Sequence, residues 1–439
     1  MSVLRWIIDN ILGQTALFMG ILAAIGLIVQ KKKWDDVLEG VLITITGHIM
    51  FNAGTGILAG AIAGVNSVIL PTVSTGAGVY PFGDNVLAWA YSLEYVGQNI
   101  MPIFIIAWFI HILAVRVFHK WFKAVYLTVH MMLNQVVCNM LFFYYVLGFT
   151  GLPLYAACIA VSVVYWTVSP MVVYKEAMEL SHNSFALGHL QQFGAWFGGK
   201  LAGLVGDPEK DNADELQLPQ WLKKFSSNTL ILSTTMPIIF VIIGVICAIV
   251  GNAEAMAVLD VNRGTTNPYI WYIMQGFTFS AGVAVLQYGL RMFLGAFVPT
   301  FQGFSEKLIP GCVPALDCVA FFGFSPMGVV FSFLAYSVAG VLVSMGTLIF
   351  SAPVFVYPSV QLAFFDGGAI GVFANRKGGW KGCLLAGFVC GLLMHLGALV
   401  MAATGMTGPA SAAGLAFGNF DTNVINTFIF WIIGLFTGK

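Results

Sequence analysis

Apolar runs of about 20 residues recur along the whole chain, each long enough to cross a hydrocarbon layer about 30 Å thick as a helix. No other feature restricts the possible folds as strongly. Hydrophobic residues make up 59% of the 439 residues and charged residues only 9%, against about 25% charged in an ordinary soluble domain. The sequence therefore predicts an all-α polytopic membrane protein and excludes an ordinary soluble globular protein.

Several polar stretches interrupt the apolar runs. The candidate spans are residues 15–29, 41–65, 101–118, 125–147, 152–168, 230–250, 269–289, 329–350, 383–403 and 425–436, and the interrupting stretches are 66–99, 171–205, 301–326 and 354–380. Pro and Gly break these stretches, and broken backbone survives at membrane depth only where protein or water satisfies its polar groups. Transporters use such re-entrant segments for binding. We expect about 11 transmembrane helices plus re-entrant hairpins.

Basic residues set the expected orientation. They cluster at 31–33, at 116–123 and in the hydrophilic loop 207–225, and clusters of Lys and Arg favour the cytoplasmic side. With an odd number of spans, the N-terminus lies outside and Lys439 lies in the cytoplasm. The N-terminal segment lacks the features of a removable signal peptide, so we expect the first span to be retained. The formal net charge of zero argues against a nucleic-acid partner.

Three weaker patterns concern packing. The seven cysteines lie mostly inside apolar runs without C-x-x-C spacing, which is typical of small buried hydrophobes. Gly56, Gly60 and Gly64 form a flat helix face for packing within the chain or, alternatively, between subunits. A short similarity between residues 47–54 and 129–136 indicates either a duplicated half or chance.

Polar side chains inside the apolar stretches are costly, so each is a functional candidate. The first group is His189 with Gln191 and Gln192, and on a helix His189 and Gln192 would share a face. The second group, His130 with Asn134 and Gln135, has its first two members one helical turn apart. Neutral donors and acceptors of this kind suit a hydroxylated solute. A lone buried His or Gln is nevertheless about twice as often a structural hydrogen-bond partner.

Acidic residues supply further candidates. Asp317 follows Pro310, Gly311 and Pro314, which prevent a regular helix before it. This carboxylate could orient or activate a substrate hydroxyl, or it could be a structural acid paired with Arg291 or Lys307. Asp366, in FFDGG, indicates a backbone-lined pocket or a tight turn. Tyr80, Asp84, Glu94 and Gln98 could join the site or lie at the membrane interface. No P-loop, H-E-x-x-H motif or nucleophile–base pair is visible, and we expect no cofactor and no metal.

Several separated motifs give the chain a family resemblance. FALGHLQQFGAW, LQLPQWL, RMFLGAF, KLIPGCVPALDC and IGVFANRKGGWKG occur in this order. Together they resemble the IIC membrane component of the ascorbate-type phosphoenolpyruvate-dependent sugar phosphotransferase system, which is more distantly related to the galactitol type. The similarity covers essentially the full length and is densest at about 171–225 and 287–384.

The resemblance implies an architecture and partners. It implies a homodimer in the bacterial inner membrane, with a V-motif scaffold region and a mobile core that moves in an elevator-like manner. We assign residues 12–80 and 226–300 to the scaffold and residues 85–205 and 301–425 to the core, with a final span at 425–437. It also implies that a phosphocysteine on a separate IIB protein, recharged by IIA, phosphorylates the sugar.

The resemblance also implies site residues. The family's binding positions fall on His189, Gln191, His130, on Asn134 or Gln135, and on Asp317. The chain departs from the family pattern at Leu190, Asn134 and Val86, and Tyr80 could replace the tyrosine expected near Val86. Two rival functions remain open: an ion-coupled secondary transporter, in which Asp317 and His189 would be coupling groups, and an intramembrane enzyme or structural membrane subunit.

Overall fold

A computed structural model describes residues 14–73, 78–216 and 228–437, together with residue 11. Four features considered above lie wholly or partly outside these residues. They are the extreme N-terminal segment, residues 12–13, 74–77 and 226–227 of the expected scaffold region, most of the LQLPQWL motif with the end of the hydrophilic loop, and Lys439. The seven cysteines are all buried and free, which confirms that they act as small hydrophobes.

The described chain is mostly helical, with short strands between helices. The helices are α1 (Thr15–Val29), α2 (Trp34–Val73), α3 (Gly83–Ala90), α4 (Glu94–Val117), α5 (Val129–Leu141), α6 (Gly151–Val172), α7 (Tyr174–Leu180), α8 (Gln192–Ala202), α9 (Asn228–Val250), α10 (Ala253–Arg263), α11 (Pro268–Leu308), α12 (Val319–Phe322), α13 (Pro326–Ile349), α14 (Val360–Leu362), α15 (Gly368–Ala403) and α16 (Thr427–Thr437). The strands are β1 (Gly78–Pro81), β2 (Ala124–Tyr126), β3 (Ala186–Leu187), β4 (Val313–Leu316), β5 (Phe355–Val356) and β6 (Leu415–Ala416).

Within the described residues, seven helical segments are long and apolar enough to cross a membrane. They are Trp34–Ile69, Glu94–Val117, Val129–Val146, Gly151–Val172, Pro268–Phe301, Pro326–Ile349 and Val360–Ala403. Shorter apolar helices cover Thr15–Val29, Met236–Ile249 and Asp421–Thr437. The helical membrane architecture is confirmed, and the total of eleven spans stays a prediction.

The chain divides into two compact units. Unit 1 comprises Met1–Val37, Ala77–Glu215 and Val298–Lys439, and unit 2 comprises Leu38–Gly76 and Leu216–Phe297. Compactness does not reveal which part moves, so the assignment of scaffold and core regions stays a prediction. All the candidate site residues lie in unit 1.

Unit 1 contains two small parallel sheets. In one sheet β1 lies between β5 and β6, and in the other β4 lies between β2 and β3. Small apolar side chains fill the space around each sheet. Val79, Val356 and Ala416 pack with Ala398 around the first sheet. Ala124, Ala186 and Ala315 pack with Met178 around the second.

The two sheets show that unit 1 has two halves of similar topology. The first half contributes β1, β2 and β3, and the second contributes β4, β5 and β6. Each half supplies the central strand of one sheet and both outer strands of the other. In addition, β1 leads into short α3 and long α4, just as β4 leads into short α12 and long α13. The halves are therefore interlocked through their sheets.

The interrupting stretches are divided into several elements, although most of the last one lies within the long helical segment Val360–Ala403. Residues 171–205 hold α7, β3 and α8, and residues 301–326 hold the end of α11, β4 and α12. Residues 354–380 hold β5, α14, a π-helical turn at Ala363–Gly367 and a kink within α15 at Gly378 and Gly379. The expected broken backbone is present, and the short strands are local connections within a mostly helical membrane chain.

Unit 2 shows how its long helices pack. Gly54 of α2 lies against α11, and a Cβ atom there would lie 2.2 Å from the backbone nitrogen of Leu286. The predicted face behaves differently, because Cβ atoms at Gly56 and Gly60 would meet nothing within 4 Å in the described structure. The predicted packing within the chain is therefore found at Gly64, where a Cβ atom would lie 3.6 Å from the Trp271 ring, and a closer approach occurs at Gly54.

Candidate functional site

Three separated segments meet because their strands share one sheet. Asp317 directly follows β4, His189 follows β3 after one glycine, and His130 lies in the first turn of α5, just after β2. All three strands run parallel. The carboxyl ends of parallel strands lie at the same edge of a sheet, and residues after these ends converge there, as in open α/β sheets.

The three side chains form a compact group, which we call the His–His–Asp cluster. His130 Nε2 lies 3.5 Å from Asp317 Oδ2, and the rings of His130 and His189 lie 6.2 Å apart between centroids. One donor or acceptor atom from each residue lies within 4.8 Å of the others. The side chain of His130 is 39% exposed and that of Asp317 15%, while His189 is buried. The cluster is therefore accessible from the His130 side.

His189 is held in a turn. The backbone nitrogen of Gly188 donates to the Leu316 carbonyl at 2.7 Å. A Cβ atom at Gly188 would lie 2.6 Å from the Ala315 carbonyl oxygen, so a glycine is required here. His189 Nδ1 hydrogen-bonds to Gln191 Oε1. Because α8 begins only at Gln192, the expectation that His189 and Gln192 share a helix face is wrong.

Gln192 hydrogen-bonds to the scaffold around the turn. Its Oε1 accepts from the Tyr165 hydroxyl at 3.0 Å, and its Nε2 donates to the Leu187 carbonyl at 3.2 Å. Gln135 also lies in an amide network, with Asn139 and Asn426 at 3.4 Å each. In this structure both glutamines therefore bond to framework residues.

Asp84 and Asn134 extend the cluster toward the other sheet. Asn134 lies one turn after His130 in α5, as expected, and its Nδ2 donates to Asp84 Oδ1 at 2.8 Å. Asp84 lies in α3, which follows β1. Tyr80 belongs to β1 itself, and its hydroxyl accepts from Ser359 Oγ at 3.3 Å. Asp84 thus connects to the His–His–Asp cluster through α5, and Tyr80 bonds to the start of α14.

Asp317 does not pair with Lys307, the alternative partner that lies in the same unit. Lys307 Nζ instead donates to the Val29 carbonyl. The Oδ1 atom of Asp317 accepts from the Val319 backbone nitrogen at 3.3 Å. Its other oxygen faces His130.

Sequence reasoning missed Asp421, a fully buried acid. Its carboxylate accepts from the Tyr165 hydroxyl at 2.6 Å and from the backbone nitrogens of Phe193 and Gly194 at 3.2 Å each. These nitrogens belong to the first turn of α8, where an anion is favoured. The Asp421 backbone nitrogen also donates to the Leu190 carbonyl at 2.9 Å. Asp421 therefore fixes the segment that displays His189, and its position just before the predicted last span at 425–436 was the available signal.

Asp366 has a related framework role. It accepts from the Tyr336 hydroxyl at 2.7 Å, from the Asn419 amide at 3.2 Å and from the Phe420 backbone nitrogen at 2.9 Å. The residue lies in the π-helical turn before α15 and is fully buried. The FFDGG backbone is helical and lies inside the segment Val360–Ala403, so the tight turn expected for this stretch is wrong at these residues.

A separate polar group joins the hydrophilic loop to two helices. Asp214 accepts from Ser325 Oγ at 2.6 Å and from the Met327 backbone nitrogen at 2.9 Å, and Asn375 donates to the same carboxylate at 3.0 Å. Burial raises the pKa of Asp214, and the hydrogen bonds from Ser325 and Met327 oppose that rise. Asp214 thus caps the start of α13 from a distant part of the chain.

A second loop acid binds a lysine beside the kink in α15. Lys381 Nζ lies 2.8 Å from one oxygen of Asp211 and 3.0 Å from the other. The hydrogen bond from Lys381 lowers the pKa of Asp211, and one from the Asp207 backbone adds to it. The Trp380 backbone nitrogen donates to the Asp211 carbonyl at 2.7 Å. The loop is therefore attached to the kink.

Comparison with known proteins agrees with this architecture. A family model described as a sugar-specific permease component of the phosphotransferase system, EIIC-GAT, matches residues 10–435. The chain is also 28% identical over 437 residues to a Mycoplasma pneumoniae protein named "Ascorbate-specific PTS system EIIC component". That alignment covers 89% of this chain and 65% of the relative.

The family match spans nearly all of the described chain, including both interlocked halves of unit 1 and all three members of the His–His–Asp cluster. A sugar permease crosses the membrane several times. The seven described helices that are long and apolar enough to span a membrane agree with this. The chain belongs to the family of EIIC sugar-specific permease components of the phosphotransferase system.

Proposed function

We propose that the chain binds ascorbate or a related acidic or polyhydroxylated sugar, carries it across the membrane and presents it to a separate IIB protein for phosphorylation. The observation that supports this most is the convergence of His130, His189 and Asp317 at one sheet edge. Hydrogen-bonding groups from three segments can surround a small polar solute, and broken backbone of this kind is where transporters bind substrate.

Each side chain has a proposed role in binding. His189 Nδ1 is engaged by Gln191, which leaves Nε2 for a sugar oxygen. His130 is partly exposed beside Asp317 and can bond to a second oxygen. Asn134, held by Asp84, supplies an amide on the same helix face as His130. Gln192 and Gln135 act through the framework, because their amides bond to neighbouring residues.

Asp317 has the proposed catalytic role. Its carboxylate accepts the proton of the sugar hydroxyl as the oxygen attacks the phosphorus of the IIB phosphocysteine. The O–P bond forms, the S–P bond breaks, and the thiolate leaves with IIB. Little covalent chemistry is then left to the permease, and its contribution is positioning and proton acceptance.

The choice of sugar rests on the relative's name and on the neutral and acidic groups at the site. Ascorbate carries adjacent hydroxyl groups on an acidic ring, and histidines and amides can donate to its oxygens. Leu190 and Asn134 depart from the family pattern, and loss of a hydrogen-bond partner can change selectivity by orders of magnitude. Galactitol is the comparison ligand, because the galactitol type is the more distant relative that the sequence resemblance names.

The transport part of the proposal follows the family. We propose a homodimer in the bacterial inner membrane, with the N-terminus outside and the C-terminus in the cytoplasm. We also propose that an elevator-like movement carries the His–His–Asp cluster between the two sides. The interlocked sheets of unit 1 support this, because they tie both halves into one body that can move without breaking the site.

The experiment that tests the proposal is uptake by vesicles containing the full chain. Purified IIB and IIA with a phosphoenolpyruvate source are enclosed, labelled ascorbate is added outside, and the contents are separated by charge. We expect ascorbate phosphate to accumulate only when IIB is present. Free ascorbate accumulating with an ion gradient and without IIB would instead support a secondary transporter.

A further inference from the structure

We propose that the His–His–Asp cluster is also a site for a divalent transition metal ion, with Zn²⁺ as the best-fitting common ion. One ligand atom from each of His130, His189 and Asp317 lies within 4.8 Å of the other two. Two imidazoles and one carboxylate form a donor set that zinc uses in open sites, where a fourth position holds water or substrate.

The hydrogen bonding of His189 prepares it as a ligand. Its Nδ1 lies against Gln191 Oε1, an arrangement that suits the tautomer with the proton on Nδ1. The lone pair therefore lies on Nε2. Metal-binding histidines commonly donate their other ring nitrogen to an oxygen in this way, which fixes both the tautomer and the ring orientation.

The other two ligands need only small movements. His130 Nε2 and Asp317 Oδ2 are 3.5 Å apart, close to the separation of two ligands that lie about 2.0–2.2 Å from one zinc ion. His130 is partly exposed, which gives the ion access and leaves the ring free to adjust. The three residues come from separate segments, so no local metal motif marks them in the sequence.

Three histidines outside the cluster show which one can serve as a control in a metal-binding experiment. His111 has both ring nitrogens engaged, with Thr167 Oγ1 at 2.9 Å and the Tyr126 backbone nitrogen at 3.0 Å. His395 is fully buried and its Nδ1 bonds to the Gly391 carbonyl. His119 is exposed, with Nδ1 bonded to the Arg116 carbonyl at 3.1 Å. His119 is therefore the suitable control for removal of one surface imidazole.

A metal at this site would compete with the sugar. This consequence rests on the proposed function, because it places the sugar on the same three side chains. Zinc binding itself does not depend on it. Micromolar zinc, which can reach the cluster from the His130 side, should therefore inhibit ascorbate uptake by the vesicles. Excess ascorbate should relieve this inhibition.

Direct binding of Zn²⁺ tests the inference without sugar or partner proteins. The full chain, with any polyhistidine tag removed, is titrated with Zn²⁺ alone, and the wild type is compared with His130→Gln, Asp317→Asn and His119→Gln. We expect one zinc ion per subunit, with affinity unchanged in His119→Gln. In His130→Gln and Asp317→Asn the affinity should fall by at least about tenfold, since loss of even an outer partner of a metal ligand costs about 10–100-fold.

Two further measurements accompany the titration. The absorption of Co²⁺, bound in place of Zn²⁺, reports the geometry of the site, and tryptophan fluorescence during heating shows whether each variant is folded. A folded variant that has lost the tetrahedral Co²⁺ absorption supports the site. Equal zinc affinity in the wild type, His130→Gln and Asp317→Asn would overturn the inference, as would no stoichiometric binding by the wild type. If zinc binds as expected but does not compete with the sugar, the metal site stands and the proposed sugar position is contradicted.

Discussion

Asp84 and Asn134 are 50 residues apart in the chain and are joined by a hydrogen bond of 2.8 Å. Asp84 follows β1, in one sheet, and Asn134 follows β2, in the other. This bond therefore links the carboxyl ends of the two interlocked sheets. It also fixes the side chain of Asn134 beside the His–His–Asp cluster.

The first prediction concerns this link. Asp84→Ala removes the acceptor that orients Asn134, and a hydrogen bond to a charged group contributes about 1.5–3 kcal/mol. We expect ascorbate to bind about tenfold more weakly or worse, measured by equilibrium binding to the purified chain. Glu254→Ala, which removes an exposed acid at the start of α10, should leave binding unchanged. Equal affinity in both variants would show that the link does not support the site.

The second prediction separates binding from chemistry at Asp317. In Asp317→Asn the amide keeps the shape of the side chain but cannot accept the hydroxyl proton. We expect the phosphorylation rate constant to fall by about 10²–10⁴-fold, the usual range for a general base, with a smaller change in sugar affinity. Rapid-quench measurement with phosphorylated IIB gives both quantities. Asp207→Asn, in the exposed loop, serves as the control, and an unchanged rate in Asp317→Asn would exclude the proposed role.

The third prediction concerns the anchor of α8. Tyr165→Phe removes the 2.6 Å hydrogen bond to Asp421, whose carboxylate holds the first turn of α8 beside His189. We expect a lower melting temperature and a KM for sugar raised by about tenfold, because the loss of a hydrogen bond to a charged group costs about 1.5–3 kcal/mol. Tyr288→Phe, at an exposed tyrosine of unit 2, is the control. A reduced melting temperature with an unchanged KM would mean that the anchor acts on stability alone.

The fourth prediction concerns the kink in α15. Gly379 has φ +60 and ψ −157, a conformation that costs other residues about 1–3 kcal/mol. A Cβ atom there would also lie 2.0 Å from the Asp211 carbonyl oxygen. Gly379→Ala should therefore lower the melting temperature much more than Gly405→Ala, where φ is +71 and a Cβ atom would meet nothing within 4 Å. Equal losses would show that the contact with the loop adds nothing.

The fifth prediction concerns pH. The pKa of Asp211 is lowered in the folded chain, chiefly by the hydrogen bond from Lys381. A lowered carboxyl pKa gives stability that is present above the unfolded value and lost as the pH falls through the folded value. Lys381→Met should therefore reduce the melting temperature at neutral pH, and the difference from the wild type should shrink in acid. Lys120→Met, at an exposed lysine outside the loop, should show no such trend.

The sequence predicted the helical membrane class, because composition and the length of apolar runs are local properties. It also identified His130, His189 and Asp317, since polar groups in apolar stretches are costly wherever they lie. It did not predict the strands that bring these residues together. Strands of two to four residues have too little alternation to give a pattern, and their pairing joins residues nearly 200 positions apart, as in Val125 with Pro314.

The duplicated topology was also out of reach. The similarity between residues 47–54 and 129–136 pairs a segment of unit 2 with one of unit 1, whereas the two like halves lie on either side of the second segment of unit 2, Leu216–Phe297, in the chain. The two halves resemble each other in the order of their strands and helices, and we saw no matching similarity between their amino-acid sequences. Asp421 was missed for a different reason: its partners, Tyr165 and the first turn of α8, are distant in sequence. Only its position just before the predicted last span was visible.

The most direct test of the central claim is the affinity of the purified full chain for labelled ascorbate in His130→Gln, His189→Gln and His119→Gln. Galactitol serves as the competing sugar, and tryptophan fluorescence on heating confirms that each variant is folded. We predict that the first two variants bind ascorbate at least about tenfold more weakly, the effect of losing about 1.4 kcal/mol, and that His119→Gln binds it normally. Unchanged affinity in folded His130→Gln and His189→Gln would contradict a sugar site at the His–His–Asp cluster.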